Sequence, residues 1–188
     1  MGARISAVAT VLLALGLSAT PSLAGRGGNT PVRGVVIGVS SDKIEIQSAT
    51  GAVTVAITEK TRVIRTVSGT VADLRRGLIV EVVRNADSGR VIRLHIAPAG
   101  TKLGEVPPGW GQGRGQVRNR MAQIRAVSPK TIRVRYVNSR IVTYRLAKRP
   151  TVIKDLFGRI SDIAVGQTVL VTRTHGGRLA DAIVLLRG

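Results

Sequence analysis

The chain has no cysteine. That absence excludes a disulfide framework, a thiol nucleophile and thiolate metal ligands. Aromatic side chains are scarce: Trp110, Tyr136, Tyr144 and Phe157 are the full set. Four rings leave little material for the stacking platforms that single-stranded nucleic acid needs, so no specific nucleic-acid partner is expected. The two histidines, His95 and His175, lack a convincing third ligand for zinc. No Gly-x-Ser-x-Gly elbow is present. Gly25-Arg26-Gly27-Gly28 does not sit between a strand and a helix as a phosphate loop would. No catalytic residue, metal or cofactor is therefore expected, and the chain does not read as an enzyme.

Long apolar runs are also missing. The longest covers residues 5–17, short of the roughly 18–20 residues of a spanning helix. It follows Arg4 and precedes Ser22-Leu23-Ala24, small residues in the pattern a signal peptidase reads. Residues 1–24 are expected to be a signal peptide cleaved after Ala24, with a retained anchor as the alternative. The mature chain would be periplasmic or secreted, without a transmembrane span. Residues 25–31 are expected to be disordered.

Negative charge is the next scarcity. Ten acidic side chains face 29 basic ones, a formal charge of +19. Removing the leader with Arg4 leaves +18. The excess is uneven: residues 26–113 hold 12 basic and 7 acidic side chains, and residues 114–188 hold 16 and 3. A charge this large attracts polyanions.

What is present is period-2 apolar alternation, the mark of half-buried strands. Strands are expected over 32–39, 43–47, 53–57, 62–66, 78–85 and 90–96. A second set follows over 120–127, 131–137, 141–146, 151–154, 168–174 and 179–185. The sets align at an offset of 88 (Val36 with Ile124, Ile44 with Ile132), then 89 (Val53 with Val142, Asp73 with Asp162). Such self-similarity points to a duplicated unit. Two units are expected, 32–97 and 117–186, the second strongly basic. The Pro- and Gly-rich stretch 98–116 reads as a linker.

The clearest repeat is VADLRRGLIVEV against ISDIAVGQTVLV. Asp73 and Asp162 suit the cap of one helical turn, where a short carboxylate accepts backbone N–H groups. Gly77 and Gly166 permit the positive φ of a corner. The following valines alternate into a core. The motif therefore reads as structural.

Gly34-Val35-Val36-Ile37-Gly38-Val39, Thr61-Arg62-Val63, Asp73-Leu74-Arg75-Arg76-Gly77 and then Val80 and Val82 resemble a family of small β-barrel domains of unknown function. That family occurs in exported bacterial proteins, often in tandem. Asp162-Ile163-Ala164-Val165-Gly166, Val169 and Val171 form a more divergent copy. The resemblance implies two OB-like barrels, no established activity and no catalytic residues to carry over. The expected fold class is all-β: two tandem small OB-like barrels joined by the linker.

Parity places Arg125, Arg133, Arg135 and Arg145 on the outer face of the second unit, as one patch suited to phosphate or carboxylate. Trp110 is a candidate contact for a domain or a partner. The function expected is an exported, non-enzymatic binding module. Its partners would be an anionic envelope polymer, lipid headgroups or an acidic protein. The alternative is a structural or assembly protein of the envelope, acting through edge strands or Trp110.

Overall fold

The alternation is carried by β1 (Val32–Val39), β2 (Lys43–Ser48), β3 (Gly51–Ala56), β4 (Arg62–Gly69), β5 (Ile79–Arg84), β6 (Val91–Ile96), β7 (Met121–Val127), β8 (Thr131–Tyr136), β9 (Ile141–Gly158), β10 (Thr168–Arg173) and β11 (Ala180–Leu185). The computed structural model describes residues 31–110, 120–174 and 177–186. The expected leader over 1–24, residues 25–30, linker residues 111–116 and His175 lie outside them. Among the described residues, no helix is long and apolar enough to cross a membrane.

The strands form one sheet in the order β3-β2-β1-β10-β11-β4-β9-β6-β5-β7-β8, and β8 also pairs with β9. That last pairing closes β5, β6, β7, β8 and β9 into a five-stranded barrel. Its core contains Leu74, Val80, Val82, Leu94, Ile124, Ile132 and Val134. The remaining strands curl around a separate core that includes Val36, Ile44, Ile46, Val55, Val169, Val171 and Ile183. This second curl is drawn together at one isolated bridge, Ala56 to Leu179.

The expected order of units is not the order in space. Among the described residues, β1 to β6 do not close on themselves, and neither do β7 to β11. The closed barrel takes β5 and β6 from the first half of the chain and β7, β8 and β9 from the second. The open curl takes β1, β2 and β3 from the first half and β10 and β11 from the second. The two halves have exchanged their last two strands.

Crossing is made by β4 and β9, antiparallel from Val63 opposite Gly158 to Gly69 opposite Val152. Each strand then leads through a 3₁₀ turn, Val71–Asp73 or Ile160–Asp162, into the other half's sheet. Matching registers recur on both sides. Ile79 pairs with Gln123 where Thr168 pairs with Val35. Leu94 pairs with Val152 where Ile183 pairs with Val63. A strand that occurs twice in similar form fits two neighbours almost equally well. Its own alternation sets which face is buried but not which copy it joins.

β9 also corrects a boundary. Stretches 141–146 and 151–154 were expected as separate strands, but the backbone runs through Ala147 to Pro150 without a break. The register between β6 and β9 shifts there, from Val91 opposite Leu146 to Arg93 opposite Thr151. Pro150, with no N–H to give, fits in that irregular stretch. In the first half, a turn with Thr61 N–H bonded to the Thr58 carbonyl interrupts the chain instead (2.9 Å).

Candidate functional site

The repeated corners are structural. Asp73 and Asp162 are each the third residue of their 3₁₀ turn. Each carboxylate accepts the backbone N–H three residues earlier, from Thr70 at 2.7 Å and from Arg159 at 3.0 Å. Gly77 and Gly166 have φ of 95° and 89°, a region costly for any side chain. Their N–H groups reach across the exchange to the carbonyls of Ile124 and Val36, both at 2.8 Å. Each carboxylate also meets a cation of the other half: Asp73 with Lys154 at 2.8 Å, Asp162 with Arg65 at 3.6 Å. The Lys154 and Thr70 bonds lower the Asp73 carboxyl to a pKa of about 2.

Trp110 does not offer a surface to a partner. It is only 6% exposed and packs with Ile79, Ala97 and Met121, with Leu103 against them. The described part of the linker, 98–110, is thus docked at this point. Its indole Nε1–H donates to Asp155 Oδ2 at 2.7 Å, and Thr66 Oγ1–H donates to Oδ1 at 2.8 Å. The His95 ring lies 4.5 Å from the indole, centroid to centroid. Its Nε2 stands 3.0 Å from Asp155 Oδ1 but off the line of a hydrogen bond. Asp155, 2% exposed, is therefore a buried carboxylate held by residues from both halves and from the linker. Sequence reading missed it. Thr66 and Asp155 share a position at the offset of 89, which was the available signal. The cluster is enclosed and bound to its own neighbours, so it serves as a latch between halves.

Strand exchange also sorts charge. Residues 70–97 and 120–150, which contribute to the closed barrel, hold 14 basic and 3 acidic side chains; residues 31–69 and 159–186 hold 8 and 5. On the closed barrel, Ile132, Val134 and Leu146 point inward, and Tyr136 and Tyr144 pack against that core. The tyrosine hydroxyls meet at 3.0 Å. Burial, then the contact with Tyr144, pushes the Tyr136 phenol above its usual range. Arg84 covers the Tyr144 ring at 5.1 Å.

The four predicted arginines divide into two groups. Arg125 occupies the β7 bulge between Ile124 and Ala126. Arg125, Arg133 and Ile141 line a shallow depression of about 250 Å³, joined there by Arg76 from the first half. Sequence reading could not bring Arg76 to this place, because the exchange does so. Arg135 stands two residues along β8 from Arg133 and donates to Gln123 Oε1 at 3.3 Å. Arg145 turns instead to the mouth of the barrel. It lines a recess with Arg90, Lys130 and Lys148. Arg133 and Arg145 share the outward face of the β8–β9 ladder, Arg145 opposite Thr131 and Arg133 opposite Thr143, but line different hollows.

Comparison with protein families, curated proteins and solved structures finds no match to this chain.

Proposed function

We propose that this chain is an exported, non-enzymatic binding module that holds an anionic envelope component on the outer face of its closed barrel. Export rests on the apolar run over 5–17 and Ser22-Leu23-Ala24. The single observation that carries the binding reading is the convergence of Arg76, Arg125 and Arg133 on one depression whose lining has no carboxylate. Guanidinium groups without an internal counter-ion attract phosphate and carboxylate, and their planar forks hold such groups bidentately. An acidic polymer or an anionic lipid surface supplies those groups in rows.

The test is association with anionic vesicles at low and high salt. Binding should weaken steeply as salt rises. It should fall by about tenfold in Arg125→Gln/Arg133→Gln, a loss of about 1.4 kcal/mol. Arg33→Gln/Arg178→Gln, an equal change of charge on the open curl, should bind like the parent. Equal loss in both variants would reduce the association to net charge. Binding insensitive to salt would favour the structural or assembly role instead.

A further inference from the structure

The mouth of the closed barrel carries a second concentration of cations, built differently from the face. Arg90 begins the approach to β6. Lys130 lies in the turn between β7 and β8. Arg145 and Lys148 belong to β9. All four line one recess of about 540 Å³, with Pro129, Thr131, Leu146 and Ala147 completing its wall. That volume is in the range of small-molecule sites, roughly 300–1,000 Å³. No acidic side chain lines it. Among the described residues, none of the four cations forms an ion pair with a carboxylate. Four like charges around one recess repel each other, and a multiply charged anion relieves that repulsion.

The corresponding place on the open curl supplies an internal contrast. At offsets of 88 or 89, Lys130 corresponds to Asp42, Lys148 to Glu59, Arg145 to Ala56 and Arg90 to Leu179. Two cations are thus replaced by carboxylates, and the two arginines by the apolar pair that forms the isolated bridge. The shared backbone does not require positive charge here. Assembly of the recess does require the exchange, since Arg90 comes from the first half and the other three cations from the second.

We propose that this recess binds a ligand bearing two or more phosphate charges, whose remaining body lies against Pro129, Leu146 and Ala147. A lone carboxylate would leave most of the cationic charge unmatched, while a multiply charged phosphate engages both arginine forks and both ammonium groups. The proposal rests on the anion-binding reading above and assigns it a second, larger site.

Tripolyphosphate is the probe, titrated calorimetrically into the full chain, with inorganic phosphate alongside. Vesicles of phosphatidylcholine with phosphatidic acid form the lipid arm. Tripolyphosphate should bind saturably and more tightly than inorganic phosphate. Its affinity should fall about tenfold or more in Arg145→Gln/Lys148→Gln and stay within about twofold in the open-curl variant Arg33→Gln/Arg178→Gln. Loss of vesicle binding in the recess variant, with competition by tripolyphosphate, would assign the phosphate to a lipid headgroup. Vesicle binding unchanged by the recess variant would assign it to a soluble ligand. Both results support the site. All four substitutions are at the surface, and an unchanged melt verifies the fold; Lys130→Gln provides a second recess variant. Failure to saturate, or equal loss in the open-curl and recess variants, would overturn the site. Vesicle binding that depends on the face alone, with no saturable tripolyphosphate binding, would leave the function proposed above intact and remove only this inference.

Discussion

At Asp73 one carboxylate serves two purposes. It closes a 3₁₀ turn through Thr70 and meets Lys154 of the other half. Both contacts favour the charged form, which is why its pKa falls to about 2 from an unfolded value of about 3.9. The sign follows. The folded state binds the proton less readily than the unfolded state, so the stabilisation is complete above the unfolded pKa. It is lost as pH falls through about 2. Thermal melts of the parent should therefore drop on acidification through this window, and Asp73→Asn should flatten the drop. An unaltered acid profile in that variant would contradict the linkage. Asp155 is a different case, because it is buried. Asp155→Ala leaves the indole N–H and the Thr66 hydroxyl without their acceptor, at about 1–3 kcal/mol for each orphaned group. Unfolding in urea should show a lowered midpoint. Trp110, the chain's one tryptophan, should shift its fluorescence to the red as the indole loosens.

At the scale of elements, the glycine corners govern the exchange. Gly77 and Gly166 adopt positive φ and bond to the first strand of the other half. An alanine at either place meets the left-handed penalty of roughly 1–2 kcal/mol. Gly77→Ala and Gly166→Ala should each lower the unfolding free energy, measured by denaturant melts, by about that amount. Gly77→Asn should cost less, since asparagine tolerates this region best among side chains. Equal costs for alanine and asparagine would mean that something other than φ sets the requirement. β4 and β9 bring the corners into place. Their shared ladder ties the two curls along seven residue pairs, and Asp155 opposite Thr66 pins it at the centre.

Across the whole molecule, neither half encloses a complete core. Val36, Ile44 and Val55 pack with Val169 and Ile183; Ile124 and Ile132 pack with Val80 and Leu94. Separate fragments 25–110 and 111–188 should each lack a cooperative melt as monomers. Their equimolar mixture should recover β-type circular dichroism and one transition. Cooperative monomeric melts of both fragments would show that each half folds back on itself when alone. The exchange also has a consequence for charge. Joining β7, β8 and β9 to β5 and β6 collects Arg76 and Arg90 with the basic residues of the second half.

Some of this was determined by the sequence alone. Alternation located the strands, because burial of one face is a local property of the pleat. The repeated Asp and Gly announced the turns, because a capping carboxylate and a positive φ are also local needs. Outward parity placed Arg125, Arg133, Arg135 and Arg145 on the barrel surface for the same reason. Tertiary structure alone decided which copy each strand joins, since β5 with β6 and β10 with β11 carry similar patterns and suit either sheet. From that choice followed the arrival of Arg76 and Arg90 beside the basic residues of the second half, and the burial of Trp110 against Asp155. Those contacts join residues far apart in the chain, and the spacing of a single strand contains no information about which distant neighbour it will meet.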